Sequence, residues 1–231
     1  MALSSSVNIV VPTAWEGLTD EQLDAICHWA TAGQHTTDDI KALLLTHFFL
    51  TPTDRERLTP ADLLPAMEEL AWLDHPPTVP VRTAKLYGHA AVNVCLHGLS
   101  FEHYLIAENC FQGWLASQLS EPLEDMAAIL YPSEEERPPL NAGQCYGIAL
   151  WWTGVKSLFS QEFPDLFRPA EAEGDASAGN MSEAMNAQIR ALTAGDITKE
   201  QTVLAADCWR ALTELNAKAR EAREFNERIK K

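Results

Sequence analysis

The sequence predicts a mainly α fold: an irregular helical bundle with at most a short two-stranded β ribbon near the N-terminus, plus a C-terminal helical appendage. Three observations carry this. Apolar residues recur at three- and four-residue spacing over most of the chain, while period-two alternation is confined to two runs of five residues. Capping residues stand ahead of most of the helical runs. One stretch, 169–180, is nearly devoid of bulky apolar groups and reads as a flexible linker between a helical body at 1–168 and a helical segment at 181–231.

In chain order, Val7, Ile9 and Val11 suggest a short strand or extended arm closed by Pro12. Thr19-Asp-Glu-Gln22 has capping-box spacing and opens a helix through Leu23, Ile26, Cys27 and Ala30 to Gly33. A second helix begins near Thr37, carries Ile40, Leu43, Leu44, His47 and Phe48, and stops at Pro52. Thr59-Pro60 reads as an N-cap with proline at the first helical position, leading Leu63, Leu64, Met67 and Leu70 along one face. Three prolines between Trp72 and Pro80 require extended or turning backbone. Val92, Val94 and Leu96 could form a second strand pairing with the N-terminal one.

Ser100 can cap a helix carrying Phe101, Tyr104, Leu105, Phe111, Trp114 and Leu115. Ser120 can cap the next, with Pro122 in its first turn and Leu123, Met126, Ala127, Leu130 and Tyr131 on one side. The short join implies an antiparallel pair whose broad aromatic face has to be covered. Asn141 can cap a helix with Ile148, Trp151, Trp152, Val155, Leu158 and Phe159 in its stripe, ended by Pro164, after which Leu166 and Phe167 tuck back. Beyond the linker come a short helix at Ser182–Leu192, a stop at Gly195, and a long helix from about Thr198. In that helix Leu204, Cys208, Ala211, Leu215, Lys218, Ala222, Phe225 and Ile229 step four, three, four, three, a heptad seam weakened by Lys218 and two alanines.

The formal charge of −16, with 17 basic against 33 acidic residues, argues against gripping nucleic-acid phosphates or an anionic membrane surface. The body to Arg168 holds 8 basic and 22 acidic residues, whereas Trp209–Lys231 holds 7 basic and 4 acidic. An acidic body with a mildly basic tail can bring the two together or draw the tail to an acidic partner. Five scattered cysteines, no CxxC, no secretory start and no apolar run near spanning length together suggest reduced thiols in a cytoplasm.

Motifs for chemistry are sparse. His89, Cys95, His97 and His103 are ligand types zinc accepts, but their gaps are not those of a finger or ribbon. They mark the place where an enzyme with an unrecognised site would have it. HExxH, GxSxG, GxxxxGK[ST] and GxGxxG do not occur, so no cofactor or metal is expected. Cys110 with His103 on one helix face is a weak nucleophile pairing, and packing is the simpler account.

Three pieces of the central region, FEHYLIAEN (101–109), DMAAILYP (125–132) and FPDLF (163–167), carry a resemblance together with MNAQIRALTAGDITKE (185–200) and CWRALTELNAKARE (208–221). They resemble small proteins encoded in prophage tail-gene clusters. The resemblance implies a tail assembly chaperone or a small structural component of the tail or head–tail connector, without catalytic residues. The expected activity is to bind an apolar helical client such as a tape-measure protein, in the host-cell cytoplasm. The expected interaction surface is Phe101, Tyr104, Phe111, Trp114, Trp151, Trp152, Leu204, Leu215, Phe225 and Ile229, with self-association through the C-terminal helix as a further option.

Overall fold

The computed structural model describes residues 9–57, 59–168 and 181–229. The fold is mainly α, as the periodicity requires. Helices α1 (Asp20–Thr31) and α2 (Thr37–Leu44) both start in capping boxes, from Thr19 and Thr36. A π turn at Leu45–Phe49 extends α2. Pro52, expected only to stop the second helix, instead opens a short helix, α3 (Pro52–Arg57). Asp54 accepts from the Thr51 backbone N–H, and the Thr51 hydroxyl accepts from that of Asp54. Proline lacks only an N–H that a first turn leaves unused, so it starts helices as readily as it ends them. Helix α4 (Pro60–Glu69) follows, burying Ala66 and, just beyond its end, Leu70.

The proline-rich stretch after α4 is held by two tryptophans. Trp72 donates its indole N–H to the Pro12 carbonyl at 3.0 Å, Trp15 donates to the His75 carbonyl at 3.0 Å, and their rings meet edge-on at 5.3 Å. Together with Val11, Ile26, Leu44, Leu70 and Val81 they form the N-terminal core.

The ribbon is not where the alternation placed it. Val7 lies outside the described residues, and the backbone at 9–12 forms no strand. Strands β1 (Lys85–Leu86) and β2 (His89–Ala90) pair antiparallel across a turn with Tyr87 and Gly88 both at positive φ, the hairpin-turn geometry. The run 92–96 folds into turns because the Asn93 side chain accepts from the Cys95 and His97 backbone N–H groups, competing with any ladder.

Helices α5 (Phe101–Ser117) and α6 (Glu121–Leu130) form the expected antiparallel pair. Ser100 caps α5, but Ser120 makes no side-chain cap bond on α6. Helix α7 (Ala142–Glu162), capped by Asn141, is the hub. It packs along α1, places Leu150 in the N-terminal core, and sends Trp151, Trp152, Val155 and Phe159 into a second core built on α5 and α6. Gly154 makes one crossing possible, because a side chain there would strike the Val79–Pro80 backbone.

The C-terminal segment comprises α8 (Met181–Thr193), α9 (Glu200–Leu204) and α10 (Cys208–Ile229). The single long helix expected from Thr198 is broken at 205–207. Cys208, Ala211, Leu212 and Leu215 are buried in the core that holds α5, α6 and α7. No helix among the described residues is long and apolar enough to cross a membrane. The linker expected at 169–180 lies outside the described residues.

Candidate interaction surface

The break before α10 and the loop before α5 lock together through the backbone. Cys208 donates to the Leu99 carbonyl at 2.8 Å and Phe101 donates to the Ala206 carbonyl at 2.7 Å. Asp207 takes both sides of the joint: one oxygen accepts from Gly98 N–H at 2.7 Å, the other from Trp209 N–H at 3.0 Å as the N-cap of α10. Trp209 follows, donating its indole N–H to the Cys95 carbonyl at 2.6 Å while His97 stacks on it at 4.4 Å. Phe159 and Phe163 meet the same ring edge-on. Further along, the Asn216 side-chain oxygen Oδ1 accepts from the Asp165 and Leu166 backbone N–H groups, and Arg223 pairs with Asp165.

This docking decides the fate of the expected surface. Phe101, Tyr104, Phe111, Trp151, Trp152 and Leu215 are buried, the two tryptophans with no accessible area at all. They are core: a partner cannot reach them unless the body opens. Trp151 donates to the Val94 carbonyl, and Trp152 donates to Glu108 Oε2 at 2.7 Å. Glu108 also accepts from Lys156 and Gln112, so this inward-facing carboxylate is paired rather than free. Trp114 and Leu204 are half-buried. Only Phe225 (63% exposed) and Ile229 (68% exposed) stand in solvent.

Two apolar stripes therefore overrun the body. On α5, Phe111 is buried, while Leu115 one turn later is open and Leu119 beyond the helix more so. On α10 the stripe through Ala211 and Leu215 continues to Phe225 and Ile229, and from Arg220 to Ile229 only Arg223 is partly covered. The helical spacing marks Leu115 and Phe225 as stripe members. Where cover ends is a property of the assembled bundle.

The metal-type residues are not gathered. His89 meets Ser133, His97 stacks on Trp209, and the described residues contain no cluster of three or more metal-type ligands. A cleft of about 360 Å³ lies between α1, the ribbon and the start of α7. Part of its polar lining is engaged internally: Asp20 accepts from Ala84 N–H at 2.7 Å, and the Tyr87 hydroxyl donates to Gln144 Oε1 at 2.7 Å. Cys27 also lines it, but burial, reinforced by Asp24, pushes this thiol up to about 12. Burial likewise raises Cys208 to about 12 and moves Cys95, Cys110 and Cys145 upward, so none is an activated thiolate at neutral pH.

No family model matches this chain, and no curated protein or solved structure does.

Proposed function

We propose that this protein is a non-enzymatic assembly chaperone or adaptor for phage tails, holding an apolar helical client such as a tape-measure protein in the host-cell cytoplasm. The observation that carries this reading is the overrun of α5. Leu115 continues a core stripe into solvent beside half-buried Trp114, and exposed Leu119 follows just past the helix end, offering a helical partner a place on an existing apolar seam. The likeness of segments 101–109, 125–132, 163–167, 185–200 and 208–221 to tail-cluster proteins supplies the class of client. An acidic body keeps such a complex soluble and repels nucleic acid, consistent with a partner that is protein.

Co-expression with the tape-measure protein of the same tail-gene cluster tests it. The client is expected to stay soluble and to co-elute with this chain, and Leu115→Ser with Leu119→Ser to reduce both effects. Client solubility that is the same with and without this chain would refute the reading. Recovery of the chain in finished particles would identify it instead as a structural tail or connector component.

A further inference from the structure

The end of α10 has a distinct pattern of its own. Lys218, Ala222, Phe225 and Ile229 fall at alternate seam positions, and Ala222, Phe225 and Ile229 are all exposed. Arg223, paired with Asp165 on a neighbouring face, is the last tether to the body among the described residues. We propose that a second copy of this chain covers this seam, the two α10 ends lying antiparallel across residues 218–229.

The side chains choose both occupant and direction. Antiparallel pairing sets Ala222 of one copy against Phe225 of the other, small against large, twice by symmetry. It sets Ile229 against Lys218, whose ammonium turns back to Glu214 at 3.3 Å and leaves its aliphatic stem to the seam. Beside the seam, Glu221 then meets Arg228 of the second copy, again twice, while the other flank carries only Ala219 and Asn226. A parallel pair would instead oppose Lys218 to Lys218 and leave Glu221 beside an uncharged Asn226. The chain is thus complementary to itself in one orientation. Twelve residues span about 18 Å of helix. An interface of that length falls below the ~1,000 Å² of a stable complex, so the dimer is weak and concentration-dependent. Leu115 and Leu119 are not part of this seam, so the proposal stands or falls apart from client binding.

Sedimentation velocity on the full chain, from low to high micromolar concentration, is the test. The expected result is a reversible monomer–dimer equilibrium. Phe225→Glu with Ile229→Glu should abolish it; both side chains are solvent-exposed, and circular dichroism checks that the fold is kept. Glu221→Arg or Arg228→Glu alone should weaken Kd by about tenfold, and the two together should restore it, because each exchanged charge again meets its opposite. A chain monomeric throughout, or a double exchange no better than either single one, would overturn the proposal.

Discussion

Replacing Gly154 with alanine asks whether the seat of α7 depends on one absent methyl group. A Cβ at that position would lie 2.4 Å from the Val79 carbonyl oxygen, 2.7 Å from its carbonyl carbon and 2.8 Å from Pro80 Cα. Non-bonded carbon contacts are comfortable near 3.5 Å and beyond, so helix or segment must shift by about an ångström. The obstacle is backbone, with Pro80 fixing its own φ and Val81 buried beside it, so the shift cannot be absorbed by a rotamer change. Overpacking of this kind costs about 1–3 kcal/mol, here toward the upper end. Alanine returns about 1 kcal/mol through helix propensity. The net loss of about 2 kcal/mol lowers Tm by roughly 4–8 °C for a chain of this size. Gly147, two turns earlier, supplies the control. Its nearest neighbour would be Cys27 Sγ at 3.5 Å, an ordinary contact, so Gly147→Ala keeps the propensity gain and raises stability by up to about 1 kcal/mol. Thermal and urea unfolding followed by circular dichroism read both. If the two variants move in the same direction, or Gly154→Ala matches the parent, the close approach does not position α7.

Two further expectations follow from the docking of α10 and from thiol burial. Asp207→Ala removes the acceptor for Gly98, Trp209 and Arg210 N–H groups and should destabilise by about 2 kcal/mol, with faster hydrogen exchange at Gly98; Asp207→Asn, which keeps one acceptor oxygen, should cost about half as much. Unchanged exchange at Gly98 in the alanine variant would remove Asp207 from the joint. A thiol reagent near neutral pH should find Cys95, Cys110 and Cys145 well before Cys27 and Cys208, which are buried and whose thiols are held up to about 12. Because burial disfavours the thiolate, the rates at all five should keep climbing as pH rises past the usual thiol range; equal rates at every site would contradict the packing.

Helix starts were legible because a cap is a local object. Thr19 with Gln22, Asn141 with Gln144, and Ser100 with the N–H of His103 are settled within four residues, and each reads directly from the chain. The same signal stands at Thr51-Pro52, where the cap from Thr51 lets proline open α3 and not only end the helix before it. The ribbon was misplaced for a related reason. Alternation of five residues has no force without a partner strand, whereas two residues at positive φ close a hairpin by themselves.

The interaction surface divides along the same line. Periodicity determined by itself that α5, α7 and α10 carry apolar stripes and that the chain is mainly helical, and composition that its body is acidic. It could not say which stretch of a stripe is covered, since cover comes from elements about a hundred residues away. Leu99 and Cys208 meet through a backbone bond and Asp207 spends one oxygen on Gly98, at the place where the helix is broken at 205–207. That joint puts Leu215 in the core and leaves Phe225 and Ile229 outside it. A stripe states only that a face seeks apolar company; the packed bundle decides where that company is found within the chain and where it has to come from another molecule.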